Sequence, residues 1–223
     1  MTESTKYKMH TRYYLDDGTE VPSNTTILNA VLGKPALVHW AWDLGTKGIN
    51  YLNYRDDKGE IGKLTHHFIL CDLREEEPDI DEYNKRQILT AKNCMKSYYE
   101  WKKRHKLEPI LLETPLVSER YRYGGTPDYF GLVDGIPTVV DYKSGKGIYE
   151  DYYYQLCGYW KLLRENGYKA KQGLIMNFPR TEDEEYTEKL YTDFQKGWQI
   201  FYHCLCIYYL KKKGGRKKWQ SKV

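Results

Sequence analysis

Asp128, Asp141, Lys143 and Gln155 fall within one short stretch, GGTPDYFGLVDGIPTVVDYKSGKGIYEDYYYQLCGY, from Gly124 to Tyr159. Asp128 follows Pro127, Asp134-Gly135 is a turn signal, and Thr138 to Lys143 returns as a strand rich in β-branched residues. Residues two apart on a strand share a face, so Asp141 and Lys143 point together while Tyr142 faces away. A carboxylate and an ammonium beside Val139 and Val140 are costly to desolvate unless a cation or a phosphate completes the site. A hard divalent cation supplies that completion, because it takes carboxylate oxygens and keeps positions open for water and phosphate. Asp128 on the neighbouring strand reaches the same point, and Lys143 then orients or deprotonates an attacking water, or neutralises charge developing in the transition state. Read alone, Asp141 and Lys143 also fit a surface ion pair on an exposed hairpin.

Helices and strands must bring these groups together. The pattern predicts helices over Asn24 to Leu32, Pro35 to Gly45, Glu60 to Leu73, Asp81 to Lys106, Glu150 to Asn166 and Asp193 to Leu210. Ile88, Ala91, Met95 and Tyr98 or Tyr99 face the core on the fourth. Strands are predicted over Pro109 to Val117, Arg120 to Val133, Ile136 to Lys143, Gly173 to Phe178 and Tyr186 to Tyr191. A strand meander, a helix and a further strand build an α/β fold with a mixed central sheet flanked by helices. Gln155 and Tyr159 stand four apart on one helical face. His66 lies on the third helix, four residues after Gly62, and reads either as a ligand or as a hydrogen-bonded packing residue. Glycine at 62 would let that helix approach the sheet closely. His67 lies about 100° round the helix and cannot serve equally. Glu113, in the apolar run Ile110-Leu111-Leu112, is a further ligand or an edge-strand charge against aggregation.

Pro127-Asp128 with Asp141-Tyr142-Lys143, and twelve residues between the aspartates, resembles the name motif of the PD-(D/E)xK nuclease superfamily. Gln155-Leu156-Cys157-Gly158-Tyr159 is similar to the Gln-x-x-x-Tyr element of its RecB-like exonuclease branch, and Gly62 to His66 to that branch's Gly-x-x-x-His element. Thr25 to Leu28 and Lys34 to Ala41 look like the helical lead-in of phage-type members. The resemblance spans roughly residues 24 to 178, and its weight lies in the order and setting of short motifs. It implies a restriction-endonuclease-like core and hydrolysis of DNA phosphodiester bonds with Mg2+ or Mn2+. His66, Asp128, Asp141 and the Tyr142 carbonyl are the implied metal ligands. Asp128, Asp141, Lys143 and Gln155 are the implied catalytic set, with Tyr159, Lys146 and Arg122 supporting or binding substrate. An exonuclease of recombination, repair or phage DNA processing is the expectation, with a recombination or replication protein as partner. A structure-specific endonuclease and a catalytically silent nucleic-acid-binding module are the alternatives. The CRISPR adaptation nucleases with an iron–sulfur cluster need four clustered cysteines; Cys71, Cys94, Cys157, Cys204 and Cys206 lack that spacing, so no cluster is expected.

Composition agrees. A chain of 223 residues, 40% hydrophobic and 30% charged, suits one nuclease domain. Its parts are a helical lead-in at about 24–106, a catalytic core at about 109–178, and a C-terminal helix and basic tail at about 193–223. No run of about 18 apolar residues occurs, which argues against a spanning helix, and the N-terminus lacks an apolar signal core. Five scattered cysteines fit reduced intracellular thiols, and the phage-type resemblance implies a cytoplasmic setting in a bacterial or phage-infected cell. Net charge is only +4, but Lys211 to Lys218 concentrates positive charge as a solvated tail or a phosphate-tracking arm. The acidic run Arg74 to Asp79 reads as a solvent-facing loop or helix end. The 23 tyrosines are explained mainly by packing.

Overall fold

The computed structural model describes residues 11–214. Strands β1 (Tyr13–Tyr14) and β2 (Glu20–Val21) form a hairpin. Helices α1 (Asn24–Val31), α2 (Pro35–Thr46), α3 (Tyr51–Arg74) and α4 (Lys85–Lys102) follow. Then come β3 (Leu107–Leu112), β4 (Leu116–Ser118), β5 (Tyr123–Gly125), β6 (Tyr129–Val133) and β7 (Ile136–Ser144). Helix α5 (Glu150–Glu165), β8 (Gln172–Phe178), β9 (Thr187–Tyr191) and α6 (Gln195–Gly214) complete the order. Local signals set several boundaries. The Ser23 hydroxyl accepts from the Thr26 N–H to start α1, and Asn84 with Gln87 forms a reciprocal capping box on α4. Asp134 and Gly135 both take positive φ, 52° and 78°, as the tight turn joining β6 to β7 demands.

The central sheet runs β3-β6-β7-β8-β9, antiparallel throughout except for the parallel pair β7 and β8, whose crossover is α5. This is the expected α/β arrangement: a mixed sheet flanked by helices, preceded by a helical lead-in. Alternation along β7 divides the core. Val139 joins Phe130 and Ile175 against Leu156 of α5 and Phe201 of α6, whereas Val140 and Tyr142 pack with Leu64 and Phe68 of α3 and Met95 of α4. Each such side chain is buried, contributing about 1.5–3 kcal/mol. Strand β7 is thereby held from both faces, and its C-terminal end carries Asp141 and Lys143.

Three expectations need correction. The predicted continuous strand Arg120 to Val133 is two strands: β5 pairs with β4 in a separate small ribbon, and Asp128 lies in the bend just ahead of β6. The Tyr13 ring covers Gly124 so closely that a Cβ there would lie 2.2 Å from it, so glycine at 124 is what lets β5 pack against β1. The predicted strand Pro109 to Val117 likewise ends at Leu112, because Glu113 turns to φ 43°. Helix α3 starts nine residues before Glu60, at Tyr51, where Asn50 caps it through the Asn53 N–H. On α4, Tyr98 is the buried member of its pair and Tyr99 is 44% exposed. Residues 74–77 are exposed as expected, and the basic tail beyond 214 lies outside the described residues. Among the described residues no helix is long and apolar enough to cross a membrane.

Candidate active site

The site forms where α3 from one face of the sheet and α5 from the other meet at the C-terminal end of β7. His66 is buried on α3, and its Nδ1 stands 3.2 Å from Asp128 Oδ1. The second oxygen of Asp128 accepts the Tyr142 backbone N–H at 2.6 Å, so the bend before β6 is pinned to β7. Glu113 joins from the end of β3, with its own N–H donated to the Asp128 carbonyl at 3.1 Å. His66, Glu113 and Asp128 each offer a ligand atom within 4.8 Å of the others. Asp141, 1% exposed, lies 2.6 Å from Lys143 Nζ. Lys143 also donates to Gln155 Oε1 at 3.2 Å and rests over the Tyr152 ring at 4.8 Å. Gln155 Nε2 donates to the Tyr159 hydroxyl at 2.8 Å, which fixes the amide orientation seen by Lys143.

Helix α5 is itself held in place by a glycine. A Cβ on Gly158 would come within 2.6 Å of the Asn24 amide, and that amide donates to the Gln155 carbonyl at 2.8 Å. Only glycine lets α1 lie this close, so the helical lead-in orients Gln155.

Electrostatically the cluster is short of positive charge. Burial pushes the Asp141 carboxyl up to about 6, against the pull of Lys143 and with the help of Asp128. Burial also opposes the charges on Asp128 and His66, but here mutual attraction wins, holding the Asp128 carboxyl below and the His66 imidazole above their ordinary values. Two buried atoms, His66 Nδ1 and Asp141 Oδ2, touch their ion-pair partners off the line of a hydrogen bond. A divalent cation satisfies both needs: it supplies charge and takes imidazole and carboxylate donors. The residues present therefore fit a metal.

A cleft of about 970 Å³ opens over this cluster. Its walls add Arg12, Lys58, Lys63 and Lys212 to the acidic floor. Of the residues read from sequence, the structure brings His66, Asp128, Asp141, Tyr142, Lys143, Gln155 and Tyr159 together around this cleft. Arg122 and Lys146 do not line it. Arg122 sits in the β4–β5 turn, where its carbonyl accepts from Tyr209, and Lys146 is exposed after β7. His67 points elsewhere, toward Cys71, and its imidazole is pushed down by burial. Sequence reasoning did not single out Arg12, Lys58, Lys63 or Lys212 for the site. Lys63, within the Gly62 to His66 element, and Lys212, within the basic run from Lys211, had a signal; Arg12 and Lys58 are a surface arginine and lysine by any local pattern.

Gly62 corrects its expectation. A Cβ there would meet only the Ser144 hydroxyl at 3.4 Å, and one on Gly59 would meet nothing within 4 Å. Each glycine inside a helix costs about 1 kcal/mol relative to alanine, and here packing does not require it. Both face the cleft.

No protein-family model matches the chain, and no curated protein matches it in sequence. Among solved structures it is similar to a candidate exonuclease from Eubacterium rectale, at 15% identity and a TM-score of 0.41 over 82% of this chain and 68% of that one. It is also similar to the alkaline exonuclease LHK-Exo of Laribacter hongkongensis, at 15% identity and a TM-score of 0.33 over 68% and 84% of the two chains. Against the same enzyme in complex with dAMP the TM-score is 0.35, with 15% identity, over 88% and 94%. At these scores the functional weight rests on the site itself.

Proposed function

We propose that this protein is a metal-dependent DNA exonuclease of the RecB-like PD-(D/E)xK branch, hydrolysing phosphodiester bonds in recombination, repair or phage DNA processing. The observation that carries the reading is the convergence of His66, Glu113, Asp128, Asp141 and Lys143 beneath a cleft with basic walls. His66, Glu113, Asp128 and Asp141, with the Tyr142 carbonyl, would hold Mg2+ or Mn2+. When bound, the metal polarises the phosphate and lowers the pKa of a water.

The remaining work falls to the chain. Lys143 carries its ammonium between Asp141 and Gln155, where it orients the attacking water and offsets negative charge on phosphorus-bound oxygens. Gln155, locked by Tyr159, fixes the direction of that ammonium. Asp141 and Asp128 are buried at the foot of the cleft, where bulk water screens their charge little. The basic walls attract backbone phosphates without reading bases, so binding should fall steeply with salt and vary little with sequence.

End-labelled linear duplex and closed circular duplex, each with Mg2+, with Mn2+ and with neither, test the proposal. Metal-dependent release of label from linear DNA with intact circles supports it. Cutting of circles indicates an endonuclease, and DNA binding without cutting in either metal indicates a silent binding module.

A further inference from the structure

The face of α3 that ends at His66 continues away from the reacting centre in a regular stripe. Moving back by three or four residues at a time passes Gly62, Gly59 and Lys58, then Arg55 and Tyr54, then Tyr51. From His66 to Tyr51 the helix is about 22 Å long at ~1.5 Å per residue. The near part of the stripe, Gly59 and Gly62, is bare backbone lining the cleft, although neither position is crowded. The far part carries cations stacked on rings: Lys58 lies 5.3 Å from the Tyr54 ring centre and Arg55 lies 5.9 Å from that of Tyr51. Trp40 of α2 meets both rings edge-on, at 5.3 Å from Tyr51 and 5.6 Å from Tyr54. Two acidic neighbours are engaged by other groups, Asp57 with Arg86 and Gln87 of α4, and Glu60 with Lys63. Asp56 pairs with Arg55 itself and leaves the guanidinium at the surface.

Given the nuclease reading, on which this rests, the geometry points to the stripe as the track for a single-stranded stretch of the DNA substrate between the active site and the outside. Bare helix at Gly59 and Gly62 lets a sugar–phosphate backbone pass close to His66. Lys58 and Arg55 then meet phosphates, and the half-buried tyrosines offer π-surface to bases that are not paired. Unpaired DNA is the favoured occupant because a duplex keeps its base faces stacked inside. At the ~3.4 Å spacing of a B-form strand, the stripe accommodates roughly six nucleotides.

The test uses the full chain with Ca2+ and fluorescent oligothymidylates of roughly four and roughly twelve nucleotides, a span chosen to stop short of the track and to exceed it. In the parent, the long oligomer should bind at least about tenfold tighter, since stacking of even one base supplies that much. In Gly59→Leu the advantage should shrink to about twofold, even as the melting temperature rises by about 2–4 °C through better helix propensity. Arg55→Ala with Lys58→Ala should shrink it likewise. Parental length dependence in both variants, or none in the parent, overturns the track. Hydrolysis of bis(p-nitrophenyl) phosphate with Mn2+ separates the two claims, because that ester is too small to reach Tyr51. An active parent whose variants keep the length dependence defeats the track and leaves the nuclease standing. A parent inert toward both ester and DNA defeats the nuclease, while length-dependent binding lost in the variants would still support the track.

Discussion

Replacing Asp141 by asparagine should make the metal-free protein more stable while abolishing its activity. The carboxyl is raised from 3.8 to about 6, chiefly by burial. At ~1.4 kcal/mol per pKa unit, ionising it in the folded state costs about 3 kcal/mol at pH 7. The attraction of Lys143 is already included in that shift, so asparagine, which mimics the neutral acid, should recover most of it. The sign follows from linkage. A folded-state pKa above the unfolded value means stability that is complete below about pH 4 and lost as pH rises through about 6. The parent in EDTA should therefore weaken across this window relative to Asp141→Asn, and the gap should be near zero at pH 4. For a domain of this size, 3 kcal/mol corresponds to about 6–12 °C in melting temperature at pH 7.5. Metal at about 100-fold above its dissociation constant should add about 2.7 kcal/mol to the parent and far less to the variant, nearly closing the gap. Thermal unfolding of both proteins in EDTA and in Mg2+, at several pH values, measures this directly. A variant no more stable than the parent at pH 7.5 in EDTA, or a gap that does not change with pH, would refute the account of this site as strained by its own negative charge.

Lys143→Ala should lower turnover by orders of magnitude while leaving Mn2+ affinity, measured by calorimetry, within a few-fold, and cleavage at the parental rate would remove Lys143 from the chemical step. His66→Ala and Glu113→Gln should each weaken Mn2+ binding by about tenfold or more, with His67→Ala mild, because His66 and Glu113 stand within reach of Asp128 while His67 turns toward Cys71; equal losses from His66→Ala and His67→Ala would mark α3 as a packing helix. Gly158→Ala should cost about 1–3 kcal/mol in urea unfolding, since its Cβ meets the Asn24 amide at 2.6 Å, and a neutral effect would free α5 from its tie to α1.

Local sequence determined a good deal of this protein. Asp134-Gly135 can only turn, Val139 and Val140 must face opposite ways on β7, and Asp141 must share a face with Lys143, because these follow from backbone sterics and the two-residue period. The helix carrying Gln155 and Tyr159 was legible for the same reason, and the structure joins the two by a hydrogen bond. Tertiary structure decided the rest. Nothing near Asp128 in sequence says that it sits in a bend pinned by the Tyr142 N–H, since that donor lies on the next strand and only the folded sheet brings it to the carboxylate. Glu113 reads equally as a ligand or an edge charge until the end of β3 brings it beside Asp128 and His66. Lys58 reads as an ordinary surface lysine, and Lys212 as part of a basic tail that is either solvated or tracking phosphate, until α3 and α6 bring both to one cleft. Local chemistry acts over one or two turns of chain, whereas a cleft draws its walls from residues that only packing brings within a few ångströms of each other.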